Sequence, residues 1–106
     1  MADQVRASHI LLMYAGSSRS TATRTKDEAL QKINALKSQI DDGAEFATLA
    51  SQNSDCPSGR SGGDLGEFGR GQMVPAFEQT AFELEVGAVS GVVETDFGYH
   101  IIKRTG

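Results

Sequence analysis

The run from Val5 to Met13 constrains the fold more than any other stretch. At a period of two, Val5, Ala7, His9, Leu11 and Met13 fall on one face and Arg6, Ser8, Ile10, Leu12 and Tyr14 on the other. Both faces carry apolar residues, which predicts a strand in the middle of a sheet rather than at its edge. The small polar stretch Ala15–Thr23 reads as a loop. Thr25 and Glu28 then stand at capping-box spacing, and Ala29, Ile33, Leu36 and Ile40 recur at helical intervals up to Gly43. A shorter helix is expected over Glu45–Gln52, burying Phe46 and Leu49.

Asn53–Gln72 breaks the helical pattern with six glycines in 20 residues and reads as a loop holding a short strand. Pro75 suits the first position of a helix whose apolar face is Phe77, Ala81 and Leu84, with Gly87 as its stop. Val89–Thr95 and Tyr99–Arg104 flank Asp96-Phe97-Gly98 and read as a hairpin. The order β-α-α-β-α-β-β predicts an α+β domain with a mostly antiparallel sheet. At 106 residues one domain is expected, with its core at about residues 5–105.

Composition excludes several classes. One cysteine forms no internal disulfide, and one cysteine with two histidines does not fill a four-ligand structural zinc site without a carboxylate. A net charge of −4 argues against a general nucleic-acid binder, and no apolar run approaches the roughly 20 residues of a membrane span. No metal, cofactor, nucleic acid or membrane is therefore expected. The lack of a secretory signal and the single thiol point to a cytoplasmic protein, and a monomer is expected. The charge is uneven. Residues 1–26 carry Arg6, Arg19, Arg24 and Lys26 against Asp3, a surplus of +3, which places a positive region on and around the first loop.

Three polar residues stand out: His9, Cys56 and His100. Read singly they are a core histidine, a small buried hydrophobe and a strand residue. Read together they admit three chemistries. A cysteine hydrolase needs an activated thiolate, which Asp55 beside Cys56 disfavours. A two-histidine, one-cysteine metal site lacks any close ligand pair. Non-covalent chemistry in an apolar cleft remains, with the polar groups orienting rather than attacking.

Five segments carry a resemblance. They are Ala7-Ser8-His9-Ile10-Leu11-Leu12, Leu49–Cys56 (LASQNSDC), Gly62–Met73 (GGDLGEFGRGQM), Val74-Pro75-Ala76-Phe77-Glu78 and Thr95–Ile102 (TDFGYHII). In this order and spacing the chain resembles a parvulin-type peptidyl-prolyl cis–trans isomerase from Val5 to Thr105. The resemblance implies the parvulin (FKBP-like) fold, a four-stranded antiparallel sheet surrounded by helices. It implies that His9 and His100 lie side by side at the floor of a cleft, near Thr95 and Cys56, with a hydrogen bond between them and to Thr95. It makes Leu65, Met73 and Phe77 the pocket for a substrate proline ring. The partners it implies are proline-containing polypeptides. A poorly active parvulin domain serving as a peptide-binding or chaperone module is the main alternative, and an isomerase directed to phosphoserine- or phosphothreonine-proline is the other.

Three positions depart from the phosphate-dependent branch of that family. That branch carries a lysine near the end of the first strand, where this chain has Met13. It carries two adjacent arginines in the loop, where this chain has Ser18 and Arg19. Phe97 stands where that branch tends to have serine, and Phe97-Gly98-Tyr99-His100 looks more like bacterial and archaeal parvulins. Met13, Arg19 and Phe97 are thus expected to meet the residues around the proline, without a strict phosphate requirement.

Overall fold

The structure is a computed structural model that describes residues 4–17, 20 and 22–106. Four antiparallel strands, β1 (Gln4–Leu12), β2 (Asp64–Gly69), β3 (Val93–Thr95) and β4 (Gly98–Arg104), form one sheet in the order β2-β1-β4-β3. Between them lie α1 (Lys26–Asp41), α2 (Phe46–Asn53) and α3 (Pro75–Glu83).

The two-sided strand is central, and its alternation sorts the core into two layers. Ile10 and Leu12 of β1, with Tyr99 and Ile101 of β4, pack against Ala29, Ile33 and Leu36 of α1 and Phe46, Leu49 and Ala50 of α2. Val5, Ala7 and Ile102 turn to the opposite face and pack with Phe68 of β2 and Phe77 and Ala81 of α3. His9 and His100 belong by parity to this second face. The capping box forms at α1: the Glu28 N–H donates to Thr25 Oγ1 at 3.1 Å and the Thr25 N–H to Glu28 Oε1 at 2.9 Å.

Two glycines let the backbones close around the site. At Gly63, with φ near +86°, a Cβ would run into the His9 carbonyl oxygen, and the His9 N–H donates to Gly63 O at 2.9 Å. At Gly98, with φ near +141°, a Cβ would run into Leu12 O, so β4 enters the sheet beside the end of β1.

Several boundaries differ from the sequence reading. β1 starts at Gln4 and ends at Leu12, and α2 runs Phe46–Asn53, each shifted by a residue. The Asn53–Gln72 stretch holds a 3-10 helix at Pro57–Ser61 as well as β2, because Pro57 opens it and left-handed Gly62 closes it. α3 stops at Glu83, not at Gly87, and Leu84 is already extended while still packed against the second core layer. The expected Val89–Thr95 strand shortens to Val93–Thr95. Upstream, Ser90 takes over the pairing: its N–H donates to Ile102 O, and its hydroxyl oxygen accepts from the Ile102 N–H. No helix among the described residues is long and apolar enough to cross a membrane.

Candidate active site

The β1–β4 register brings the two histidines together. Ile102 lies opposite His9 and His100 opposite Leu11, so the histidines are diagonal neighbours on one face. Their rings stack at 5.3 Å between centroids, with Nδ1 to Nδ1 at 3.1 Å. His100 Nε2 lies 2.7 Å from Thr95 Oγ1, which also accepts from the Phe97 N–H at 3.2 Å. The hydroxyl oxygen has a second acceptor site, so Thr95 bridges the Phe97 N–H and the His100 ring in either histidine tautomer. In the neutral pair one of the two Nδ1 atoms donates and the other accepts. His9 Nε2 is buried and has no hydrogen-bond partner among the described residues.

Burial holds both rings neutral. His9 is 5% and His100 4% exposed. Loss of hydration lowers the His9 pKa to about 4. The same desolvation, followed by the charge His9 would carry, lowers His100 to about 3. At neutral pH the pair is an uncharged polar strut between β1, β4 and the Asp96–Phe97 turn.

Above it opens a cleft of about 540 Å³ lined by His9, Leu11, Met13, Cys56, Pro57, Leu65, Gln72, Met73, Val74, Phe77, Phe97 and His100. Phe77 meets both histidine rings edge-on, each at 5.4 Å. It projects from the first turn of α3, which Pro75 opens, and Met73 just precedes that helix. Leu65 and Met73 are half-buried and pack against the same layer. The fold thus gathers the expected His9, Cys56, Leu65, Met73, Phe77, Met13, Phe97 and His100 at one cleft, with Thr95 behind His100. Arg19 lies outside the described residues.

Three features change the reading of individual residues. Phe77 is only 3% exposed, so it is a core residue and a cleft wall at once. The Asp55 carboxylate, expected to act on the neighbouring thiol, is instead held by Arg24 Nη1 at 2.5 Å and the Met13 N–H at 2.8 Å. The half-buried Cys56 Sγ accepts from the Ser58 hydroxyl at 3.2 Å. Third, the positive N-terminal segment is largely neutralised: Arg6 pairs with Asp64, Arg24 with Asp55 and Lys26 with Glu94.

Leu11, Pro57, Gln72 and Val74 line the cleft in addition to the residues expected from sequence. Leu11 was findable, since it lies between His9 and Met13 on one strand face. Gln72 sits there because its Oε1 accepts from the Gly69 N–H at 2.7 Å and fastens the turn after β2, a contact with no periodic signal. Among the described residues no cluster of histidine, cysteine or carboxylate side chains could hold a metal ion.

An apolar cleft floored by two neutral histidines offers walls for an apolar group and no charged or metal-bound reactant among the described residues. The family model described as the PPIC-type PPIase domain matches residues 1–106. A curated Digitalis lanata protein, peptidyl-prolyl cis-trans isomerase Pin1, is 45% identical over 115 residues, covering 98% of each chain. The solved Candida albicans peptidyl-prolyl isomerase ESS1 superposes with a TM-score of 0.92 at 41% identity, over 98% of this chain and 63% of that one. PrsA of Bacillus anthracis superposes at 0.78 and 40% identity, over 97% of this chain and 41% of that one. The chain therefore belongs to the PPIC-type PPIase family, the parvulin class of peptidyl-prolyl cis–trans isomerases. The bacterial likeness expected from the Phe97 turn does not extend to the whole chain: the Digitalis lanata Pin1 is 45% identical and Candida albicans ESS1 superposes at 0.92, against 40% and 0.78 for PrsA.

Proposed function

We propose that this cleft accelerates rotation about X–Pro bonds without covalent chemistry and without a strict need for phosphate before the proline. The observation that carries the reading is the placement of Leu65, Met73 and Phe77 against a floor of two uncharged histidines. The X–Pro barrier, on the order of 18–20 kcal/mol, comes from amide resonance. Twisting the bond localises the lone pair on nitrogen and leaves a less polar amide than either planar form. A dry apolar wall favours the twisted amide over the planar ones, and only such differential binding raises the rate. Met73 and Phe77 grip the ring. Cys56 lines the wall beside the carbonyl, and the histidines with Thr95 hold the floor rigid.

No step requires a nucleophile. Cys56→Ser is expected to keep kcat/KM within about tenfold of wild type, as fits a wall residue. A loss of about 1,000-fold or more with unchanged circular dichroism would instead make the thiol a reacting group.

Charge supports the absence of a strict phosphate requirement. Met13 stands between the proline cleft and a polar recess lined by Ala22, Thr23, Arg24 and Asp55. Among the described residues the cation in that recess is Arg24, which is engaged by Asp55 and by Met13 O. Lys26 is engaged by Glu94. Arg60, exposed in a groove with Cys56 and Pro57, is a single guanidinium and suits a mild preference for acidic residues. A dianionic phosphate is held well by several convergent cations, not by one. NMR exchange measurements on peptides with phosphoserine, glutamate, leucine or arginine before proline are expected to give rates within about tenfold of one another, or about 1.4 kcal/mol. A phosphopeptide turning over about 100-fold faster than the glutamate peptide would overturn the charge argument.

A further inference from the structure

We infer that Arg24 is a positioning residue for isomerisation, holding the Met13 and Cys56 rim of the cleft in register through Asp55. The inference rests on that cleft being the site. β2 pairs with β1 only as far as Ser8, and beyond it the exposed edge of β1 is covered by irregular chain. The Leu11 N–H donates to Ser54 Oγ at 3.0 Å, and the Asp55 N–H to Leu11 O at 2.7 Å. Asp55 Oδ2 accepts from the Met13 N–H at 2.8 Å.

Arg24 closes this arrangement. Its Nη1 donates to Asp55 Oδ2 at 2.5 Å and to Met13 O at 3.0 Å. Its own carbonyl accepts from the Ala15 N–H at 2.8 Å, which fastens the neck of the 15–24 loop. The guanidinium thus holds Met13 O directly and the Met13 N–H through the carboxylate of Asp55, the residue before Cys56. The pair is partly exposed, at 25% and 28% of the side-chain surface. Met13 and Cys56 both line the cleft. Without Arg24, Met13 O loses this donor and Asp55 becomes an unpaired carboxylate at the rim.

The proline grip at Leu65, Met73 and Phe77 does not depend on this clamp, so loosening it should leave ground-state binding intact and lower turnover. On a leucine–proline peptide, Arg24→Gln is expected to lower kcat about tenfold with KM within about twofold, the pattern of a misplaced rim. Arg24→Lys, which keeps the charge on Asp55, is expected to recover to within about threefold of wild type. Asp55→Asn is expected to lower kcat about fivefold, and the double variant no further than Arg24→Gln alone, since the two residues act as one unit. Wild-type kcat in Arg24→Gln, even with a lowered melting temperature, would overturn the inference, as would multiplicative losses in the double variant. If Arg24→Gln does not fold, Asp55→Asn with wild-type kcat overturns it equally. Phe77→Leu is measured beside them. Full activity there refutes the cleft itself, whereas loss there with an unaffected Arg24→Gln refutes only the clamp.

Discussion

Phe77→Ala is expected to lower kcat/KM by about 100-fold, or about 2.7 kcal/mol of transition-state stabilisation. It is also expected to cost about 3–5 kcal/mol of stability, as large-to-small substitutions of buried phenylalanine do. Both effects have one source. The ring is 3% exposed, meets His9 and His100 at 5.4 Å and Phe68 at 6.0 Å, and still forms a wall of the cleft. Stability of a domain this size is on the order of 5–15 kcal/mol, so the variant must be assayed cold and its folded fraction measured by denaturant titration. Met73→Ala separates the two effects. Met73 is half-buried outside any helix, so its truncation should cost about 1 kcal/mol of stability, within the usual range for single substitutions, while still weakening the proline grip. Loss of activity in Phe77→Ala that is wholly accounted for by unfolded protein, with Met73→Ala fully active, would count against the proline pocket.

Mild acid is expected to destabilise the fold by about 3 kcal/mol between pH 6.5 and pH 5, through two histidines that charge only on unfolding. In the folded state their pKa values stand at about 4 and about 3, against an ordinary 6.5, with desolvation the leading cause for each. Below pH 6.5 the unfolded chain binds two protons that the folded chain refuses, so stability falls as pH falls and is fully present above that range. Urea titrations at pH 7.5, 6.5, 5.5 and 5.0 measure the slope, and His100→Asn should roughly halve it, removing one of the two protons. The carboxylates of Glu28, Asp64 and Glu94 are also held below their ordinary values, chiefly by hydrogen bonds, but they titrate in a lower window. Activity should stay flat from pH 8 to 6, because no proton moves in the reaction. A bell-shaped profile centred between pH 6 and 7 would show that a histidine acts as acid or base.

Periodic features of this fold were legible in the sequence. Val5–Met13 declared itself a central strand, and Thr25 with Glu28 and the apolar series to Ile40 declared α1 and its cap. The same alternation put His9 on an inward face. What brought His9 to His100 was register, set by pairing across 91 residues of separation, and no local pattern encodes that. The cleft membership of Cys56, Leu65, Met73 and Phe77 came from the family resemblance, since spacing alone reads them as ordinary core. The least legible parts are held by side-chain to backbone bonds. The Gln72 side chain closes on the Gly69 N–H three residues away, the Ser90 hydroxyl meets the Ile102 N–H twelve residues on, and Arg24 and Asp55 join each other and the Met13 backbone, polar contacts that no periodicity signals. The clamp also reverses the part expected of Asp55, whose charge is spent on Arg24 rather than on the thiol.

The most direct test is exchange spectroscopy on an unphosphorylated leucine–proline peptide with catalytic amounts of the wild-type protein, while the backbone and side-chain resonances of the protein are followed. Uncatalysed exchange takes tens of seconds or longer. The expected result is cis–trans exchange accelerated by orders of magnitude, with peptide-dependent shifts concentrated at Met13, Cys56, Met73 and Phe77. Shifts at those residues without faster exchange, or faster exchange with shifts elsewhere on the protein, would contradict the assignment of isomerase activity to this cleft.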